Sequence, residues 1–213
     1  MPRQVDHADR RRRIAEAVCR LADERGLEGV TLRDVAARAE VSMGAVQRCF
    51  RTKEEMLLFA VRHIGDRVVE RVGARTPGGP ARSAAAALGH AAAEVALLGE
   101  EHRAEARVWL AFVAQAAVSE PLAASLKADY AALQEMFTRL VAEAGESVAH
   151  ARRPDPSHEA RTLLALTDGL TAQVLIGHLA PEQAREVLHR HLAGLWERPE
   201  GPPPDAPGER WTG

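Results

Sequence analysis

At 213 residues, with 46% hydrophobic and 27% charged residues, the chain is long enough for two packed cores and too apolar for a disordered segment. Its formal net charge of −2 speaks against a uniformly basic nucleic-acid coat. No uncharged apolar run reaches the roughly 18 residues of a membrane span, and the charged N-terminus lacks the apolar centre of a secretory signal, so the expected location is the cytoplasm, with no membrane partner. The two cysteines, Cys19 and Cys49, read as small reduced residues of the core or its boundary.

The charge is unevenly spread. Residues 1–53 hold 12 Lys and Arg against 8 Asp and Glu, a local charge of +4, whereas residues 54–213 hold 16 against 22, or −6. Residues 1–9 are expected to form a flexible arm. The run Arg10, Arg11, Arg12 and Arg13 is either a solvated cluster or a basic arm of the segment that follows. Ile14, Ala17, Val18, Leu21 and Ala22 recur at helical spacing, and Gly26 is placed to end that helix.

Residues 31–57, TLRDVAARAEVSMGAVQRCFRTKEEML, contain three helix starts in close succession. Thr31 caps the first, with Asp34 three residues on as in a capping box, and Leu32, Val35 and Ala36 supply its apolar face. Ser42 caps the second, where Val46 and Phe50 share the buried side. Thr52 with Glu55 repeats the box and starts a third helix, carried onward by Met56, Leu57, Ala60, Val61 and Ile64. This is the layout of a helix-turn-helix DNA reader. A helix lying in a major groove about 12 Å wide needs small residues beside a few hydrogen-bonding groups. Met43, Gly44 and Ala45 leave room behind the capping Ser42, while Gln47 and Arg48 can bond adenine and guanine edges. Lys53, at the start of the next helix, is positioned to grip a phosphate together with free backbone N–H groups. Arg33 either reaches a phosphate or is simply solvated. Two short helices can also pack at such angles without touching DNA, and that plainer reading stays open here.

The order L-R-D-V-A, then V-S-x-G-x-V, Phe50 and K-E-E-M-L resembles the N-terminal domain of the TetR family of transcriptional regulators, and the likeness extends back to about Arg10. Three positions depart from the family pattern. Glu40 stands at the turn where Gly relieves a left-handed backbone, at a cost of about 1 kcal/mol. Gln47 stands where the family often has Tyr, and Cys49 where an aromatic or His is usual. The resemblance implies an all-α fold of about nine helices, with a three-helix DNA-binding domain at 10–53 and a larger helical ligand-binding and dimerisation domain at 54–198.

Beyond residue 54 the chain is rich in Ala and Leu, without alternating β-branched segments. It predicts helices near 53–74, 81–98, 101–118, 120–146, 156–179 and 181–197. RTPGGP at 75–80 reads as a break and 145–155 as a surface loop. Ser119 and Asp155 precede prolines as helix starts, and the Pro- and Gly-rich residues 199–213, Trp211 included, read as a disordered tail. Trp109, Phe112, Pro121, Tyr130 and Asp168-Gly169-Leu170, in that order, resemble the BetI-like branch of the same family. That likeness implies a pocket among the middle helices and a dimer built from the last two.

Candidate ligand contacts are His90, Trp109, Phe112, Gln115, Met136, Phe137, Gln173 and His178, each of which can equally be ordinary core. The available aromatic walls for a cationic ligand are Trp109, Phe112, Tyr130 and Phe137. Candidate dimer residues are Leu163, Leu166, Leu170, Val174 and Gly177 on one helix and Val187, Leu188, His191, Leu192 and Leu195 on the next. Gly177 is read as permitting close helix approach. Two-fold pairing would set the recognition helices about 34–36 Å apart on a palindromic operator.

No P-loop, GxGxxG, GxSxG or HExxH occurs, and His189 and His191, two apart on a helix, point in different directions. No enzyme, metal site or cofactor is expected. The leading expectation is therefore a dimeric repressor of double-stranded DNA, released by a small-molecule effector. An all-α binding or enzymatic bundle and an effector-independent architectural DNA-binding protein remain as alternatives.

Overall fold

The structure is a computed structural model that describes residues 2–74, 84–146 and 154–196. Among the described residues it is wholly helical. Four helices form the N-terminal part: α1 (Pro2–Arg25), α2 (Leu32–Arg38), α3 (Met43–Cys49) and α4 (Lys53–Ala74). α5 (Ala84–Val95) leads through a 3-10 turn at Glu100–His102 into α6 (Arg103–Ala116), followed by α7 (Glu120–Glu146), α8 (Pro156–Leu175) and α9 (Pro181–Gly194). No described helix is long and apolar enough to cross a membrane. The expected break at 75–80, most of the loop expected at 145–155 and the tail at 199–213 lie outside the described residues.

The caps form as the spacing predicts. Thr31 Oγ1 accepts from Asp34 N at 3.2 Å, Ser42 Oγ from Ala45 N at 3.2 Å, and Thr52 Oγ1 from Glu55 N at 3.0 Å. The two boxes are completed differently from the standard pattern. The Thr31 hydroxyl donates to the Asp34 carboxylate at 2.7 Å, and Glu55 reaches one residue further back, accepting from Arg51 N at 2.8 Å. Asp155 accepts from Ser157 N at 2.9 Å ahead of Pro156 at the start of α8.

Two helix ends are set by left-handed residues. Glu40 adopts φ +55° after α2, and the bonds Val41 N to Ala36 O (3.0 Å) and Glu40 N to Ala37 O (3.2 Å) close a Schellman motif around it. The same pair of bonds surrounds Gly177 (φ +75°), where His178 N meets Gln173 O at 2.9 Å and Gly177 N meets Val174 O at 3.1 Å. Gly177 thus serves to end α8, which stops at Leu175 rather than near 179. Leu97 at φ +49° similarly ends α5 earlier than expected.

α1 starts at Pro2, so the segment expected as a flexible arm over 1–9 is drawn into helix. The arginine run is not one basic arm either. The Arg11 guanidinium lies between two rings, 4.8 Å from the Phe50 centroid and 4.4 Å from that of Phe59. Arg13 donates to Ala39 O at 3.1 Å, at the end of α2, and Arg12 pairs with Asp9 at 2.6 Å in solvent. Helical periodicity explains the division: adjacent residues point about 100° apart, so a run of like residues cannot share one face.

One core joins the inner faces of α1 to α4, including Ile14, Val18, Leu21, Val35, Val46, Phe50, Met56, Ala60, Val61 and Ile64, and continues without a gap into Ala106, Val108 and Phe112 of α6 and Leu122 and Leu126 of α7. A second core holds Leu88, Phe137, Val141, Leu163, Leu170 and Leu188 from α5, α7, α8 and α9. Cys49 is buried, and burial pushes the Cys19 thiol up to about 12, so both behave as apolar packing groups.

Glu40→Gly is expected to raise stability by about 1 kcal/mol by removing a left-handed Cβ, read as a higher urea midpoint at unchanged m-value. Arg11→Met retains the aliphatic bulk but loses both ring contacts. It should cost about 1–2 kcal/mol, while Arg12→Met stays within about 0.5 kcal/mol in the same unfolding experiment.

Candidate nucleic-acid interface and adjoining cavity

The reading face is built by the short α2 and α3. Their buried sides, Val35 and Ala36 on α2 and Ala45, Val46 and Cys49 on α3, seat both helices on α1 and α4. The opposite side of α3 presents Met43, Gln47 and Arg48 to solvent, with Gly44 half-buried between them. Ser42 is exposed, but its Oγ is engaged in the cap. Arg33 is exposed on α2. Ala45 is a correction to the expected contact set: only 7% exposed, it belongs to the packing side, because it shares one helix face with the buried Cys49 four residues on. Lys53 is half-buried, its Nζ donating to Glu28 O at 3.4 Å, which holds the ammonium over the α1–α2 connection at the start of α4. Arg51, exposed between α3 and α4, adds a cation beside it that the motif spacing did not single out.

Ion pairs link helices within this head and between it and the rest of the molecule. Arg107 of α6 holds Asp23 of α1 through both carboxylate oxygens, at 2.5 and 3.1 Å. The adjacent Glu24 is held by Arg38 of α2 at 2.7 and 2.8 Å, and the hydrogen bond to Arg38 lowers its pKa. Further along α4, Arg71 bridges Glu94 of α5 at 2.9 Å and Glu105 of α6 at 3.1 Å.

A cavity of about 340 Å³ opens between α4 and α7. Its floor is apolar, with Val68, Val95, Leu97, Leu133, Met136 and Leu164, and its rim is charged, with Arg62 and Asp66 from α4 and Glu135 and Arg139 from α7. One carboxylate lies deep within it. Asp168 of α8 accepts from the Tyr130 hydroxyl at 2.5 Å through Oδ2 and from Trp109 Nε1 at 3.4 Å through Oδ1, with the two rings edge-on at 5.7 Å. Burial raises the Asp168 pKa against the opposing effect of these two hydrogen bonds. Burial, together with the bond to Asp168, also raises that of Tyr130.

Of the expected ligand contacts, Trp109 and Met136 line this cavity. The others do not. Phe112 and Phe137 are fully buried, one in each core. His90 faces the Arg71 carbonyl at 3.4 Å, Gln115 is half-buried near the end of α6, the Gln173 carbonyl closes the α8 cap, and His178 is exposed in the following turn. Bulk and apolarity do not separate a wall from a core. Tyr130, named among the available aromatic walls, does line the cavity, and the residue not proposed as a contact, Asp168, carried a signal: an acid beside Gly169 and Leu170 in a largely apolar stretch of helix.

The expected dimer face is corrected in the same way. Leu163, Leu170, Val174, Leu188 and Leu195 are buried inside the protomer's own core. Leu166 and Leu192 are half-buried against that core, and the His191 imidazole meets Glu159 at 2.7 Å. Gly177 and Val187 are exposed, as is Ile176 at 78%. A helical stripe reports that a face is buried and says nothing of which neighbour buries it.

Comparison with known proteins gives matches to two stretches of the chain. Residues 14–60 match the model for bacterial regulatory proteins of the tetR family, and residues 84–197 match that for the C-terminal domain of BetI-type transcriptional repressors. The HTH-type transcriptional regulator PksA of Bacillus subtilis is 30% identical over 199 residues, covering 92% of this chain and 94% of that protein. A transcriptional regulator from Rhodococcus sp. Rha1 superposes with a TM-score of 0.73 at 32% identity, over 87% of this chain and 95% of that one. A regulator from Saccharomonospora viridis, solved in complex with choline, gives a TM-score of 0.75 at 24% identity, over 87% and 96%. The matched families and relatives are transcriptional regulators rather than enzymes. The chain therefore belongs to the TetR family of bacterial transcriptional regulators and carries a BetI-type C-terminal domain.

Proposed function

We propose that this regulator is a cytoplasmic homodimeric repressor that holds a palindromic operator through two copies of α3 and releases it when a small molecule occupies the α4–α7 cavity. The observation that carries this reading is the double role of α4: Ile64 lies in the core of the reading head and also lines the cavity. Gln47 and Arg48 are assigned to base edges, and Met43 and Gly44 to close approach in the groove. Ser42, Arg33 and Lys53 are assigned to phosphates. Lys53 would exchange its Glu28 carbonyl for a phosphate oxygen, a charge-assisted and stronger bond.

For the dimer, the exposed side of α8 and α9 is assigned in place of the buried one: Leu166, Ile176, Gly177 and Val187, with the small exposed Ala165 allowing close packing. For the effector, the deep carboxylate of Asp168 beneath Trp109 and Tyr130 favours a molecule with an apolar body and a cationic group. An effector-independent architectural role leaves such a cavity without a purpose.

Footprinting of the full chain on DNA upstream of its own gene should reveal a palindrome with half-site centres about 34–36 Å apart. Protection without two-fold symmetry would remove the repressor-dimer reading. Lys53→Ala should weaken specific and scrambled DNA alike and lower the salt slope by about one, whereas Gln47→Ala and Arg48→Ala should change preference at particular base pairs by about 1–3 kcal/mol. Affinity for an alkylammonium probe should fall as pH drops through the raised Asp168 pKa, because the carboxylate is neutralised there, and Asp168→Asn should flatten that profile.

A further inference from the structure

The cavity does not end at its apolar floor. A neighbouring groove of about 340 Å³ runs along the N-terminal part of α7 against α4, and it shares Arg62 and Asp129 with the cavity, so the two spaces meet at that pair. Ser125 and Asp129 stand one helical turn apart on α7 and therefore on one face. The Ser125 Oγ and the Asp129 Oδ2 are both sealed from solvent, and neither has a hydrogen-bond partner. Two such atoms side by side are costly in a folded protein unless something satisfies them. Burial raises the Asp129 pKa, with Arg62 opposing and Asp66 adding to it, and among the described residues Arg62 is exposed and forms no ion pair with Asp129. The surrounding surface is apolar, from Leu58, Pro121, Ala124 and Ala128.

We propose that Asp129 and Ser125 form a second polar subsite of the effector site, so that the molecule recognised is elongated, with an apolar middle and a hydrogen-bond-donating, cationic group at each end. One end lies at Asp168 and the other at Asp129. This rests on the cationic reading of the Asp168 end. An occupant spanning both ends would lie lengthwise between α4 and α7, beside the exposed Arg62.

The test is calorimetric titration of the full-length protein with α,ω-diamines from hexamethylenediamine to dodecamethylenediamine, each against the monoamine of equal chain length. At one length the diamine should bind about tenfold more tightly than its monoamine, as expected for one added charge-assisted hydrogen bond. Asp129→Asn should reduce that ratio to about one, Ser125→Ala should lower it severalfold, and Asp168→Asn should weaken both members of the pair. Asn is isosteric with Asp; should the Asn variant nevertheless fail to fold, Ser125→Ala decides the question alone. Equal affinities within every pair, or a ratio that survives Asp129→Asn, would overturn the second subsite while leaving the Asp168 reading intact. Binding of neither amine at any length would overturn the Asp168 reading and the second subsite with it.

Discussion

The buried face of α4 packs Met56, Ala60 and Val61 into the core of the reading head while Ile64 and Val68, further along the same helix, wall the cavity. One uninterrupted helix of 22 residues must therefore satisfy both surroundings together. At a rise of about 1.5 Å per residue it extends about 33 Å, and its intact hydrogen-bond ladder leaves little freedom to bend between the ends. Any change in how α4 lies against α7 must then appear at Lys53, where the helix meets the turn after α3. Two separate family models match residues 14–60 and 84–197, but the packing does not divide there, because the first core runs on into α6 and α7.

α1 supplies a second connection, of different chemistry. Asp23 and Glu24 are consecutive on its last turns, one held by Arg107 of α6 and the other by Arg38 of α2. Both pairs are exposed, and exposed pairs contribute little to stability once screening and side-chain entropy are counted. Their geometry is bidentate, which restricts orientation more than it adds energy. The apolar continuity through Ala106, Val108 and Phe112 supplies the adhesion, and the ion pairs set the angle at which α1 lies between the two parts.

Local signals made much of this fold legible in the sequence. Capping residues at Thr31, Ser42, Thr52 and Asp155 marked helix starts that the structure reproduces, since a cap is satisfied within three residues and needs no distant partner. Glu40 was legible for the same reason, a backbone constraint stated by a position in a turn. Assignments that depended on the identity of a neighbour were legible only in part: Trp109 and Met136 do line the cavity, but others are placed elsewhere. Leu163 and Leu188 were apolar for the protomer's own core, Phe137 was core rather than wall, and Arg11 was absorbed by two rings that lie 39 and 48 positions away in sequence. Asp168 was the informative exception: an acid with no local reason to sit in an apolar helix finds its explanation in Trp109 and Tyr130, from two other helices.

The energetics of the cavity obey the same distinction between satisfied and unsatisfied groups. The Asp168 carboxylate accepts from Tyr130 and Trp109, so it is held in place for a ligand that reaches it without breaking α4 away from α7. If α4 switches between two arrangements as proposed, a ligand confined to that carboxylate would bind both equally and shift neither, however tightly it bound. On the proposed reading, release of DNA would require a preference of about 1–3 kcal/mol for a displaced arrangement. That preference has to come from contacts at the α4–α7 boundary, where Arg62, Asp66 and Val69 face Glu135 and Arg139 across the mouth. Affinity and switching would thus reside in different parts of one cavity, the deep carboxylate supplying the first and the helix boundary the second.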